Sequence, residues 1–313
     1  MINLAAKKIL VTGAHGFVGQ YLVKNLLKKR KVLKENLFLP TSSELDLRKW
    51  EDCQKAVKGQ EVVIHLAAKV GGIGYNLEKP GELFYDNLIM GAHLMEAARQ
   101  EGIEKFIAVI TICAYPKFTD VPFKEDDLWS GYPEETNAPY GLAKKMLLVQ
   151  AQAYRKQYGL NAISLLPVNM YGPGDTFDQS KSHVIAALIK KFYDAKKDGK
   201  DFIEAWGTGK VSREFLYVED GVEGILFAAE KYDKPDPVNI GVGSEITIQD
   251  LADKIAKLMD FKGEIKWNST KPDGQPRRML DTKRAKQEFG FEAKTDFIEG
   301  LKKTIEWYEA NPT

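Results

Sequence analysis

Tyr140 and Lys144 stand four residues apart in the run Pro139 to Gln157, whose apolar spacing predicts a helix, so both project from one face. An ammonium beside a phenol favours the phenolate and draws its pKa from about 10 toward neutrality. Such a phenol can hand a proton to a carbonyl oxygen while a hydride reaches the carbon. Upstream, Thr111-Ile112-Cys113 follows the apolar run Phe106 to Ile110. In extended chain its hydroxyl and thiol face the same side. Downstream, Ser182-His183 opens an apolar helical stretch over 183–197. A thiol and an imidazole can move protons, although a strand-end cysteine also serves as a small buried hydrophobe and a histidine as a helix-cap residue.

These groups need a scaffold, and the chain supplies one at its start. The short apolar run Lys8 to Thr12 breaks at Gly13-Ala14-His15-Gly16-Phe17-Val18-Gly19, and Gln20 to Lys29 continues with helical spacing. A strand, a glycine turn and a helix start let backbone approach a pyrophosphate, whose charge is met by free N–H groups. Strands recur at Leu37–Leu39, Val62–His65, Lys105–Ile110 and Ala162–Leu166, with long helices predicted over Glu82–Gln100 and Pro139–Gln157. That alternation predicts an α/β protein: a Rossmann-type, doubly wound parallel sheet with helices on both faces. Ligands of such sheets sit at the carboxyl ends of the strands. Thr12, His65-Leu66-Ala67-Ala68 and Thr111–Cys113 are all expected there.

The end of the second strand reads Leu39-Pro40-Thr41-Ser42-Ser43, with no acid before Glu44 and no arginine. An acid would bind the ribose 2′-hydroxyl of NAD. Its absence points to NADP(H), with hydroxyls such as Thr41 and with His15 lining a phosphate site. Asp46 either borders the adenine or begins a helix, as a good N-cap residue does. Farther on, Arg213 has the planar fork to pair two oxygens of a diphosphate. Trp206 packs on a base or a sugar, or belongs to a core.

The bulk properties exclude several classes. With 313 residues, 44% hydrophobic and 28% charged, the chain is an ordinary globular protein of about two domains. A formal net charge of +1 gives no field favouring nucleic acid or an anionic membrane. Two cysteines, Cys53 and Cys113, are too few for a disulfide framework and fit a reducing compartment, so a cytoplasmic protein is expected. Neither a signal sequence nor a stretch of the ~20 apolar residues needed to span a bilayer is visible, and no metal site is expected.

The first half of the chain resembles the extended short-chain dehydrogenase/reductase superfamily. Within it, Ala67-Ala68-Lys69-Val70-Gly71-Gly72-Ile73, Cys113-Ala114-Tyr115-Pro116 and Asn137-Ala138-Pro139-Tyr140 resemble the GDP-L-fucose synthase family. So do Ser182-His183-Val184-Ile185 and Trp206-Gly207-Thr208-Gly209, and the similarity runs over nearly the whole chain. The resemblance implies NADPH-dependent 3,5-epimerisation and 4-reduction of GDP-4-keto-6-deoxy-D-mannose or a closely related sugar nucleotide, by a homodimer. It makes Cys113 the base and His183 the acid of the inversions. Tyr140 becomes the proton donor to O4, with Thr111 and Lys144 assisting. Pro167, Asn169 and Met170 are then expected at the nicotinamide, and Lys191, Trp206, Arg213 and Asp273 at the sugar nucleotide. The implied domains are residues 1–166 with returns near 215–242 for the dinucleotide, and 167–214 with 243–313 for the sugar nucleotide. This chain differs from the family pattern at Thr111, where Ser is more usual, at Lys190-Lys191 in place of Arg, and at the second-strand end.

Two other enzyme readings use part of this set. A nucleotide-sugar 4-epimerase that retains NAD needs Tyr140 and Lys144 but gives Cys113 and His183 no task. A 4-ketoreductase without epimerase activity also leaves Cys113 idle. A nucleotide-sensing protein on the same scaffold would have no need of a proton donor.

Overall fold

In the computed structural model, which describes residues 1–178 and 181–312, the apolar run after Lys8 forms β1 (Ile9–Thr12), all four residues buried. The glycine turn leads into α1 (Phe17–Lys28), and β2 (Leu37–Phe38), α2 (Trp50–Val57) and β3 (Val62–His65) follow. Next come α3 (Ile73–Glu78), α4 (Pro80–Glu101), β4 (Lys105–Val109), α5 (Ala138–Tyr158) and β5 (Ala162–Pro167). Both long helices carry a proline in their first turn, Pro80 opening α4 and Pro139 second in α5, and stop on a left-handed glycine, Gly102 after α4 and Gly159 after α5. Proline's fixed φ suits the first helical turn, and glycine accepts positive φ without a Cβ clash.

Beyond β5 the chain forms β6 (Asn169–Tyr171), α6 (Val184–Lys197), β7 (Phe202–Trp206), β8 (Ser212–Arg213), β9 (Phe215–Tyr217) and α7 (Val218–Lys231). It ends with β10 (Val238–Ile240), β11 (Ile246–Thr247), α8 (Ile248–Leu258), β12 (Glu264–Asn268), α9 (Lys283–Phe289) and α10 (Phe297–Ala310). Six strands make one parallel sheet in the order β10-β5-β4-β3-β1-β2. After β1 the chain moves outward to β2, then returns past β1 to β3. The order therefore reverses between β1 and β3, where such sheets open a ligand crevice. The register sets Thr12 beside His65, and His65 beside Ala108, at the carboxyl ends.

Both faces of the sheet are covered. Leu22 and Leu26 of α1 and Val222, Ile225 and Leu226 of α7 pack on one face. Leu94 and Met95 of α4 and Leu147 of α5 pack on the other. Each fully buried side chain of this kind contributes about 1.5–3 kcal/mol. A separate core gathers Phe192, Leu251, Ile255, Leu301 and Tyr308 from α6, α8 and α10. There β7 alternates, burying Ile203 and Ala205 and leaving Trp206 outward, as a strand covered on one face does. Leu280, Ala285, Phe289 and Phe291 join the sheet's core, although they lie in the stretch expected to form the second domain.

One local expectation fails. Thr111 to Cys113 is not extended, because β4 ends at Val109 and the chain turns into a short 3-10 helix, Ile112–Ala114. Thr111 caps that turn, its Oγ1 accepting from Cys113 N at 3.2 Å. A threonine oxygen this close to the backbone amide two residues on competes with the sheet ladder and stops the strand. Among the described residues, no helix is long and apolar enough to cross a membrane.

Candidate active site

The crevice between β1 and β3 is a cradle. Gly13 has φ +73°, a conformation side chains rarely adopt, and its carbonyl accepts from Gly16 N at 3.1 Å. A Cβ on Gly19 would lie 2.1 Å from that same carbonyl, so the third glycine lets α1 rest on the turn. The α1 N-cap, Gly16, carries no capping side chain, which leaves the first-turn amides, Phe17 and Val18 among them, for an anionic ligand. Across the crevice, Thr12 Oγ1 bonds His65 Nδ1 at 2.8 Å and accepts from Ala67 N at 3.3 Å, which fixes Leu66-Ala67-Ala68. Burial, with Lys144 second, holds the His65 pKa well below the usual imidazole value, so this ring is a neutral bridge.

At the adenosine end, His15 Nε2 meets Leu39 O at 2.9 Å, tying the glycine turn to the end of β2. Thr41 is already engaged, its amide and hydroxyl both donating to Glu44 Oε2 at 2.7 and 2.8 Å. Asp46 holds Arg48 through two 2.9 Å bonds, and that guanidinium keeps its pKa below the usual carboxylate range. Pro167 ends β5 at the carboxyl edge of the sheet, and Asn169 and Met170 follow directly in β6, which pairs with β9.

Tyr140 and Lys144 leave α5 toward this edge, both buried, with Lys144 only 1% exposed. Burial alone pushes the Lys144 pKa down to about 8. Burial also raises the Tyr140 phenol above its usual value, the Cys113 charge adding to this and the Thr111 hydroxyl opposing it. The sequence reading had the ammonium drawing the phenol toward neutrality. Instead, desolvation sets the shift, and the phenol keeps its proton at neutral pH. Gly141 makes the arrangement possible, because a Cβ there would stand 2.2 Å from the Cys113 carbonyl oxygen. Its absence lets α5 seat Tyr140 directly against the turn that carries Thr111 and Cys113.

Cys113 is half-buried, with one partner at the start of α5 and one from far along the chain. Its Sγ donates to Asn137 Oδ1 at 3.6 Å and accepts from Arg278 Nη1 at 3.5 Å. His183 is the N-cap of α6, open to solvent within the cleft. The protein walls around the ring, followed by the charge of Arg278, hold its pKa below the usual value. Arg278 thus acts on both the thiol and the imidazole. Nothing in the local spacing singles it out: it stands beside Arg277 at the end of the polar run 271–278.

The outer cleft is cationic. Arg213 is 8% exposed and donates to Ser212 O at 2.7 Å and Asp273 O at 2.9 Å, both neutral carbonyls. Burial, and then the neighbouring Arg278, lower its pKa to about 9. The charges of Cys113, Glu134 and Asp273 act in the opposite direction. Trp206 is 48% exposed, with Lys191 and Lys271 ammoniums 5.6 and 5.0 Å from its ring centre. Lys191 itself donates to Glu204 O at 2.8 Å. The Asp273 carboxylate is spent on Thr208, accepting from its amide at 2.7 Å and its hydroxyl at 2.9 Å. It therefore pins the Trp206–Gly209 turn against the loop that carries Arg278.

The family model described as "NAD dependent epimerase/dehydratase family" matches residues 9–241. A probable GDP-L-fucose synthase 1 from Oryza sativa subsp. japonica is 38% identical over 307 residues, covering 97% of this chain and 92% of that protein. A GDP-6-OMe-4-keto-L-xylo-heptose reductase from C. jejuni superposes with a TM-score of 0.90 at 26% identity, covering 99% of each chain. A GDP-L-fucose synthetase from Naegleria fowleri bound to NADP superposes with a TM-score of 0.85 at 26% identity, covering 98% of this chain and 95% of that one.

Proposed function

The chain belongs to the NAD dependent epimerase/dehydratase family, alongside its GDP-L-fucose synthases, and from that premise we propose a complete reading of its site. It is an NADPH-dependent oxidoreductase with epimerase activity. It converts GDP-4-keto-6-deoxy-D-mannose, or a closely related GDP-4-keto-6-deoxy sugar, by inversion at C3 and C5 and reduction at C4.

NADP(H) fits the residues present. The Gly13–Gly19 turn and the open start of α1 receive the pyrophosphate. Leu66, Ala67 and Ala68 border the adenosine side with Thr41, Asp46 and His15. Pro167, Asn169 and Met170 border the nicotinamide, and Lys144 meets its ribose. The bound cofactor supplies a hydride. The chain's own groups do the rest.

Carbons 3 and 5 flank the C4 ketone, so each C–H proton can leave while its electron pair moves onto O4 as an enolate. Cys113 takes that proton on Sγ, and His183 returns one to the opposite face. Both inversions precede reduction, because once C4 is an alcohol the neighbouring C–H protons are no longer acidic. Tyr140 then gives its phenolic proton to O4, oriented by Thr111 and supported by Lys144. Arg213 pairs the diphosphate, with Lys191 and Trp206 at the nucleotide end. Asp273 holds the turn beneath them. On this reading the sheet and its helices form the dinucleotide unit, and the elements around α6, α8 and α10 the sugar-nucleotide unit.

The observation that carries the proposal is the placement of the Cys113 thiol between Asn137 Oδ1 and Arg278, on the turn against which Tyr140 is seated. A retained-NAD 4-epimerase has no use for it. Incubating the 4-keto sugar nucleotide with NADPH in deuterated water should place label at C3 and C5 of a reduced product. Reduction with no label at either carbon would leave a plain 4-reductase.

The same reading makes the enzyme a cytoplasmic homodimer, in keeping with two free thiols. Phe84 and Tyr85 of α4 and Val149 of α5 are 41%, 61% and 43% exposed, on two helices packed together. A second copy covering them would bury apolar area that one chain leaves in water. The mass in solution should be twice 35.2 kDa, and a single-chain mass rejects the dimer.

A further inference from the structure

The sulfur of Cys113 has one hydrogen-bond acceptor and one donor, and each favours a different protonation state. Arg278 Nη1, at 3.5 Å, donates to sulfur and favours the thiolate. Asn137 Oδ1, at 3.6 Å, is an acceptor and favours the thiol, whose S–H points at it. Which end of the Asn137 amide faces the sulfur is not left free. Asn137 Nδ2 donates to Glu134 Oε2, and an ionised carboxylate can only accept. Glu134 is 5% exposed and is itself fixed by Thr136, whose amide donates to Oε1 at 3.2 Å and whose hydroxyl donates to Oε2 at 2.6 Å. Asn76 Nδ2, at 3.3 Å from Asn137 Oδ1, is a second donor to that oxygen. Arg278 is equally constrained, its Nε donating to Gln275 Oε1 at 2.8 Å, while Gln275 Nε2 donates to Pro116 O at 2.9 Å.

We propose that Glu134, acting through Asn137, and Arg278 are positioning residues that poise Cys113 between thiolate and thiol. Resting on the function proposed above, this gives each half of the base's cycle its own partner. Arg278 holds the sulfur ready to take a C–H proton. Asn137 Oδ1 receives the S–H that forms, so the proton arrives without the sulfur having to move. Both are assigned to act through the sulfur and not on the sugar's carbons. The charged and titratable groups around the sulfur are Arg278 and Arg213 from the far segments, Tyr140 from α5, and Glu134 behind Asn137.

Alkylation of Cys113 by iodoacetamide, followed across pH by mass spectrometry on the holoenzyme, reads the poise without using the sugar substrate. Cys53 does not interfere, since it is fully buried and its pKa is pushed up to about 12 by burial. In Arg278→Met, alkylation at neutral pH should slow by about tenfold, the order of effect a neighbouring cation has on thiolate population. Arg278→Lys should restore part of the rate.

In Glu134→Gln the carboxylate lock is gone, and Asn137 can turn its NH2 toward sulfur. Alkylation should then quicken, while solvent-deuterium exchange at C3 and C5 slows by about tenfold and 4-reduction continues. Opposite shifts in the two variants mark a poise that mere loosening of the site would not produce. Wild-type alkylation in Glu134→Gln, or slowing in both variants, overturns the proposal. If the alkylation shifts appear but wild-type enzyme places no deuterium at C3 or C5, the positioning stands and the epimerase reading falls.

Discussion

Cys113→Ser should lose deuterium incorporation at C3 and C5 while reduction at C4 goes on. The substitution replaces sulfur with a smaller oxygen that can still donate to Asn137 Oδ1 and accept from Arg278, so the turn at Ile112–Ala114 should keep its shape. What changes is basicity at working pH. A thiol ionises far more readily than a serine hydroxyl, which does not ionise in water at neutral pH. Positioned general-base catalysis contributes about 10²–10⁴-fold, and the exchange rate should fall by that order. NADPH consumption should persist, because Thr111, Tyr140 and Lys144 are untouched. The product should then be the uninverted 6-deoxy sugar nucleotide. Retention of label at both carbons would remove Cys113 from the mechanism and leave His183, or a water beside it, to do both halves of the exchange.

The parts of this site readable in the sequence are those made by local spacing. The break of an apolar run at Gly13 marked the cradle, and the four-residue interval from Tyr140 to Lys144 put two groups on one face. Pro80, Gly102 and Gly159 set the helix ends within about two residues of the expected limits. The turn at Thr111 was misread because the apolar run continues to Ile110, while the threonine hydroxyl captures the Cys113 amide and ends the strand earlier. No local pattern announces that.

Long-range placement was hidden for a different reason. Arg278 lies 165 positions from Cys113 and reaches it because its loop is anchored at both ends, Asp273 on Thr208 and Gln275 on Pro116 O, contacts that no local pattern announces. Asn137 entered only through the resemblance of Asn137-Ala138-Pro139-Tyr140, and Glu134 through no pattern at all. Their value comes from a chain of hydrogen bonds whose direction is fixed by what a carboxylate can accept. Electrostatics were invisible as well. Spacing put an ammonium near a phenol, but only burial decides that Lys144 falls to about 8 while the phenol rises.

That inversion of the expected electrostatics makes Tyr140→Phe the sharper test of the reductive half. The wild-type phenol stays protonated at neutral pH, so it is a donor before the reaction begins, and no prior ionisation is required of it. Removing its oxygen should slow 4-reduction by about 10²–10⁴-fold. Deuterium should still enter at C3 and C5, because Cys113, Asn137, Arg278 and His183 keep their places and the ketone is not consumed. The mutant should therefore accumulate inverted 4-keto sugar, the mirror of the outcome for Cys113→Ser.

The pH dependence follows from Lys144. Burial lowers its pKa, so it is charged below about pH 8 and neutral above. The cation steadies the phenolate left when Tyr140 gives up its proton. Wild-type reduction at saturating NADPH should accordingly decline as pH rises through about 8. In Tyr140→Phe the alkaline decline should flatten, since no phenolate forms for the cation to steady. An unchanged alkaline limb in that mutant would mean that Lys144 acts on the cofactor alone. Reduction at the wild-type rate would mean that Thr111, the other hydroxyl at this edge, delivers the proton.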